Sequence, residues 1–160
     1  MTARHDRMRS LVEENASDLL HYFTRRVALP EDAADLVGET MLTVWRRVAD
    51  LPRDDVKARM WMFGVARKVL SNHQRGRQRS VALAERLRDE LRVAVPQPSG
   101  VLDVIETLPE TQRELILLVH GDGFSITDAA KLTHTNPSTA RTRYATALAS
   151  LREALIKTDH

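Results

Sequence analysis

The sequence contains no cysteine in 160 residues. That excludes a disulfide framework, a cysteine-containing zinc site and a thiol nucleophile, and it fits a reducing cytoplasm. No apolar run approaches the ~18 residues of a membrane span. The polar start, Met1-Thr-Ala-Arg-His-Asp6, lacks the apolar core of a signal peptide. A cytoplasmic chain with no membrane insertion is therefore expected. No stretch alternates as a half-buried strand does, and there is no internal repeat or long low-complexity tract.

The content that is present suits packed helices. Hydrophobic residues make up 42% of the chain, enough for a core, and charged residues 29%. The net charge is only +2, but its distribution is uneven. Residues 1–58 hold nine basic and eleven acidic side chains, and residues 101–160 hold six and eight. From Arg59 to Arg79, the six cations Arg59, Arg67, Lys68, Arg75, Arg77 and Arg79 occur with no acid at all. An acid-free basic stretch suits nucleic-acid contact, although a solvated helix face has the same composition.

Apolar spacing divides the chain. Met8, Leu11, Val12, Leu19, Leu20, Phe23 and Val27 form one helical stripe. Pro30 suits the first turn of a second helix, where its missing N–H has no helical partner. Glu31, Asp32 and Asp35 favour the positive end of that helix, and Arg46 and Arg47 the negative end. Leu36, Val37, Met41, Val44, Trp45 and Val48 give its buried face, and Asp50-Leu51-Pro52 breaks it. A third helix is expected from about Val56 to Arg75, stopped by Gly76. Val81 to Val93 reads as a short charged helix, and Pro96-Gln-Pro-Ser-Gly100 as the end of a linker. Val101 to Leu108 and Glu110 to Val119 read as two further helices, with a turn at Gly121-Asp-Gly123. The expected fold is all-α: two small helical domains, 1–79 and 101–160, joined by a linker over 80–100.

The last third carries a motif. Ser125-Ile-Thr-Asp128 caps one short helix, and Asn136-Pro137 opens another about a dozen residues later. That spacing reads as a helix-turn-helix whose second helix enters a DNA groove. Ala140, Tyr144, Ala147 or Leu148, Leu151 and Leu155 bury one face of it. Ser138, Thr139, Arg141, Thr142, Arg143 and Thr146 fall outside that stripe and are candidate DNA contacts; a plain helical hairpin is the alternative. In the third helix, Trp61 and Phe63 precede Arg67, Lys68, Asn72, His73 and Arg75. Aromatics among cations suit unstacked bases and phosphate, or the aromatics are simply core. The residues favour core for Phe63 and leave Trp61 open.

Six histidines invite a metal, but none has helical ligand spacing with a third partner. No serine or carboxylate forms a catalytic set with a base and an orienting group. No metal, cofactor, small-molecule substrate or enzyme activity is expected.

Both halves together resemble the extracytoplasmic-function (ECF) sigma factors of bacterial RNA polymerase. The resemblance rests on Glu31-Asp-Ala-Ala-Asp-Leu-Val-Gly-Glu-Thr-Met-Leu-Thr-Val-Trp45, on Trp61-Met-Phe-Gly-Val-Ala-Arg-Lys68 with Asn72 and Arg75, on Leu108-Pro-Glu-Thr-Gln-Arg-Glu-Leu115, and on Phe124-Ser-Ile-Thr-Asp-Ala-Ala130 with Ser138-Thr-Ala-Arg-Thr-Arg143. It implies a region 2-like domain that binds core polymerase through its beta and beta-prime subunits and captures the −10 element. It also implies a region 4-like domain that reads the −35 element, and an anti-sigma protein as a further partner. The polymerase face would hold Asp35, Glu39, Thr43, Arg46 and Arg47. The −10 face would hold Trp61, Arg67, Lys68, Asn72, Arg75, Arg77 and Arg79, with the loop Ala49–Lys57. The −35 face would be the helix from Pro137.

This chain departs from the family pattern at several places. Gly38 replaces a usual Gln, Lys68 a usual Asn, Asn72 a frequent Asp and His134 a common Gly. Thr146, Leu148 and Ser150 stand where Arg is frequent. The alternative function is a helical DNA-binding regulator or sigma-like protein that does not direct polymerase.

Overall fold

A computed structural model describes the backbone of residues 2–91 and 101–158, and the side chains of 2–76, 86 and 103–157. All regular structure among these residues is helical. The chain forms two compact units, Met1–Ala94 and Val95–His160.

The first unit packs α1 (Ala3–Thr24), α2 (Pro30–Arg46) and α3 (Asp55–Leu91). Pro30 opens α2 as its spacing predicts. Asp54 caps α3 by accepting the Lys57 N–H at 3.0 Å. Met8, Leu19, Tyr22 and Phe23 of α1 meet Leu36 and Val44 of α2 and Met62, Phe63 and Ala66 of α3. The Tyr22 ring stands edge-on to Phe23 at 5.2 Å and to Phe63 at 5.5 Å. Such aromatic pairs add to the area they bury.

Several expectations change here. Leu20 is exposed, and Trp45 is half-buried against His5 rather than core. Asn15 and Thr40 are buried instead. Each donates within its own helix, Asn15 Nδ2 to Leu11 O and Thr40 Oγ1 to Leu36 O, both at 2.8 Å. Gly76 does not stop α3, which runs through it to Leu91. A glycine ends a helix by turning left-handed, and Gly76 has no positive φ. Arg77 and Arg79 lie on this continuation, but their side chains fall outside the described residues, as do Val93 and Pro96–Gly100.

The second unit contains α4 (Val101–Glu106), α5 (Glu110–Ile116), α6 (Ile126–Leu132) and α7 (Pro137–Thr158). The expected helix to Val119 ends at Ile116 and gives way to a π-helical turn over Leu117–Gly121, closed by Asp122 N–H to Leu117 O at 3.0 Å. Gly121 belongs to that turn, and Gly123 takes φ 77°. Leu108, Ile116 and Ala147 form a buried cluster with Ile105, Tyr144, Leu148 and Leu151 against it. Leu115, Leu118, Phe124 and Ala129 are buried as well.

His134 sits between α6 and α7 at φ 52°. A side chain in the left-handed region costs about 1–2 kcal/mol, partly offset by the greater unfolded-state freedom of glycine. His134→Gly is therefore expected to stabilise the second unit by roughly 0.5–1 kcal/mol, raising its melting temperature by a few degrees in a calorimetric scan. An unchanged or lower midpoint contradicts this.

Candidate nucleic-acid interface

The first candidate face lies on α3. At 100° per residue, Trp61, Lys68, Asn72 and Arg75 fall within an arc of about 60°, and Arg59 lies on the opposite side of the helix. The structure follows this geometry. Lys68, Asn72 and Arg75 are exposed, and Trp61 is half-buried at the edge of the stripe. The Arg75 guanidinium donates to Asn72 Oδ1 at 2.6 Å, which joins the two as one polar group. Gly64 is also exposed on this side, with nothing within 4 Å of where a Cβ would stand.

Arg59 points inward instead. It donates to Asn15 Oδ1 at 3.2 Å, pairs with Asp18 Oδ2 at 3.5 Å and lies 4.6 Å over the Phe63 ring. The acid-free stretch thus includes a cation whose role is to bind α3 to α1. Arg67 is half-buried on the flank of the stripe. Phe63 is fully buried, and the indole N–H of Trp61 is shielded from solvent. His73 faces α2, with Nε2 3.9 Å from Asp32 Oδ2.

The residues proposed for polymerase contact divide in two. Asp35, Glu39 and Arg46 are exposed on one side of α2, and Leu42, absent from the expected set, lies among them 59% exposed. Thr43 is half-buried, and its hydroxyl donates to Glu39 O at 2.8 Å. Arg47 turns away from these residues toward Trp61, its Cζ 5.7 Å from the ring centroid.

The second unit presents the helix-turn-helix. Ser125 Oγ accepts the Asp128 N–H at 3.1 Å, and Asn136 Oδ1 accepts the Ser138 N–H at 2.9 Å, so both helices begin where the sequence predicts. Ser138, Thr139, Arg141, Thr142 and Thr146 are exposed, and Arg143 is half-buried. The hydroxyls are partly occupied. Ser138 Oγ donates to Asn136 Oδ1 at 2.8 Å, Thr142 to Ser138 O at 3.1 Å and Thr146 to Thr142 O at 3.0 Å. Each can still accept a hydrogen bond but has spent its only donor. Arg141 and Arg143, two residues apart, project about 160° from each other round α7.

His120 proved to be a packing residue. Its Nε2 is 2.6 Å from the Tyr144 hydroxyl and its ring stacks on that tyrosine, tying the π-helical turn to α7. Among the described residues no group of three or more His, Asp or Glu side chains could hold a metal ion, and no helix is long and apolar enough to cross a membrane.

These two units correspond to known families. The family described as Sigma-70 region 2 matches residues 11–80, and Sigma-70, region 4 matches residues 100–151. The ECF RNA polymerase sigma factor EcfG of Rhodopseudomonas palustris (strain TIE-1) is 29% identical over 134 residues, covering 79% of this chain and 72% of that protein. The ECF RNA polymerase sigma factor SigL of Mycobacterium tuberculosis (strain ATCC 25618 / H37Rv) is 34% identical over 68 residues, or 42% of this chain and 38% of that one. Among solved structures, the sigma factor RpoE bound to the anti-sigma factor NepR from Bartonella quintana has TM-score 0.71 at 22% identity, covering 95% of this chain and 98% of that one. CnrH in complex with the cytosolic domain of CnrY gives 0.69 at 21%, covering 96% and 89%. At those identities the structures speak for the fold alone. With both sigma regions present in order over most of its length, this chain belongs to the sigma-70 family, among the ECF sigma factors.

Proposed function

We propose that the chain binds core RNA polymerase in the cytoplasm and directs it to a particular set of promoters, without itself performing chemistry. The observation that carries this reading is the presence of region 2 and region 4 in one chain, each with an outward polar face where DNA contact requires one. In this reading α3 takes the opened −10 strand. The stripe from Trp61 to Arg75 is about 21 Å long, roughly six nucleotides at duplex rise. Its aromatic edge and cations suit stacking and phosphate contact on a single strand. The helix α7 meets duplex DNA at −35 through Arg141 with the Ser138, Thr142 and Thr146 oxygens. Asp35, Glu39, Leu42 and Arg46 form the docking face for the beta-prime and beta subunits.

Control by an anti-sigma protein belongs to the same proposal. The similar structures of RpoE and CnrH are complexes with NepR and with CnrY, and the exposed Leu42 on the docking face offers such a partner apolar surface.

The test is reconstitution of this chain with bacterial core polymerase on a library of randomised promoters. Transcripts that start at defined sites and vanish without the chain are expected. No binding to core overturns the proposal.

The −35 contact is expected to be weak. Residues 101–160 carry six basic against eight acidic side chains, and each missing phosphate contact lowers both affinity and salt dependence. A fragment of residues 95–160 is expected to show no salt-sensitive binding to a short promoter duplex at physiological salt, as read by fluorescence anisotropy. Binding there below about 1 μM, tighter than the usual non-specific range, contradicts the prediction.

A further inference from the structure

Arg46 and Arg47 are neighbours at the end of α2, yet the fold sends them to different places. Asp35, Glu39, Leu42 and Arg46 share an arc of about 60° on the exposed side of the helix, and Arg47 falls roughly 110° from its middle. That rotation points Arg47 at α3. Its guanidinium lies over the Trp61 ring, and its Nε is 3.5 Å from Asp50 Oδ2. Its backbone works in the same direction. The Arg47 N–H closes α2 on Thr43 O and Val44 O, and its carbonyl accepts the Asp50 N–H at 2.9 Å. One residue therefore joins the end of α2, the 3₁₀ turn Val48–Asp50 and the first turns of α3.

Trp61 needs such a partner. A shielded indole N–H usually finds an acceptor, but this one meets none among the described residues. No hydrogen bond fixes the ring, so the contacts on its faces set its orientation. A guanidinium has five donors, arranged in a plane that can stack on a ring and still reach phosphate at its edge.

We propose that Arg47 is a positioning residue for capture of the −10 strand, and not part of the polymerase-docking face. It holds the loop from Val48 to Asp54 and the Trp61 ring in the shape that receives an unstacked base. This inference rests on the function proposed above. It gives adjacent arginines different roles, Arg46 in polymerase docking and Arg47 in positioning Trp61 and the loop.

The experiment uses the full chain, with core polymerase and a promoter recovered from the library. Core affinity is measured by titration, strand opening by the fluorescence of 2-aminopurine placed in the −10 element, and folding by thermal melt. Arg47→Ala is expected to bind core within about twofold of the unaltered chain and to open the promoter roughly three- to fivefold more slowly, the size of one cation–π contact with a partly exposed cation. Arg47→Lys keeps a cation over the ring and retains most of the rate. In a Trp61→Leu background, Arg47→Ala has little further effect, because the two residues act as a unit.

Three results overturn the inference: opening at the unaltered rate, an equal loss of core affinity and opening, or additive effects of the two substitutions. If Arg47→Ala lowers the melting temperature, Arg47→Lys and the double-mutant cycle decide. If the unaltered chain directs no transcript, the function proposed above fails instead. The Arg47–Trp61 pairing is then judged by Trp61 emission in a Trp45→Phe chain, with and without a randomised single strand. Different spectra with and without Arg47→Ala support the pairing, and identical spectra overturn it.

Discussion

A chain carrying Lys68→Glu and Arg75→Glu is expected to bind core polymerase normally and to open promoters at least about a hundredfold more slowly. The estimate follows from the size of a phosphate contact. Non-specific affinities shared over six to ten contacts come to about 1 kcal/mol each. Neutralising both side chains, as Lys68→Gln and Arg75→Gln, removes about 2 kcal/mol, or roughly thirtyfold. Reversing the charge adds repulsion of comparable size. Both residues are exposed on the outer stripe of α3, so stability changes little. Arg75 also donates to Asn72, and its loss frees that carboxamide without burying it. The salt dependence supplies a second reading. Removing two single-strand contacts lowers the log–log slope by about 1.4. Opening within threefold of the unaltered rate would place the −10 strand elsewhere.

Arg59→Gln provides the contrast that charge counting misses. It belongs to the same acid-free run, yet its partners are Asn15, Asp18 and the Phe63 ring. Its loss acts on the packing of α1 against α3 rather than on a phosphate. Along the sequence the six cations of Arg59–Arg79 form one patch; round the helix the described ones separate, with Lys68 and Arg75 exposed near the Trp61 line and Arg59 and Arg67 half-buried away from it.

That separation shows which parts of the molecule were legible beforehand. Helix starts follow local rules, because Asp54, Ser125 and Asn136 satisfy amides within three residues of themselves. They need no tertiary partner. Gly76 continues α3 because a glycine stops a helix by adopting a positive φ, which this one does not, and composition does not reveal φ. The π-helical turn after Ile116 was invisible for a related reason: Leu117, Leu118 and Val119 continue a helical apolar pattern, and the contact that accompanies the wider turn, His120 with Tyr144 of α7, joins residues distant in sequence. The exposure of Lys68, Asn72 and Arg75 on α3 and of Ser138, Arg141 and Thr142 on α7 was readable from helical spacing. The division between Arg46 and Arg47 was not, because both satisfy the same charge preference at a helix end and only the packing of α3 distinguishes them. Thr142 and Thr146 were identified as exposed hydroxyls, but their donation to carbonyls one turn back limits them to accepting.

The largest effect on stability is expected from Phe63→Ala. Phe63 is fully buried where all three helices of the first unit meet. It stands edge-on to Tyr22 and supports the Arg59 guanidinium. Truncating a buried phenylalanine costs about 3–5 kcal/mol, a large share of the 5–15 kcal/mol that holds a typical domain folded. For a unit of this size, that corresponds to a fall in melting temperature of roughly 15–30 °C. The loss reaches function through position, because Phe63 fixes the rotation of α3 about its axis. Without it, the face bearing Trp61, Lys68 and Arg75 is no longer held in register with Arg47 and the loop before α3. Calorimetry on the full chain is expected to show the first-unit transition moving down while the second-unit transition stays in place. Phe63→Leu, which keeps most of the volume, is expected to move it much less. Equal shifts in both transitions would mean that the two units fold as one cooperative body.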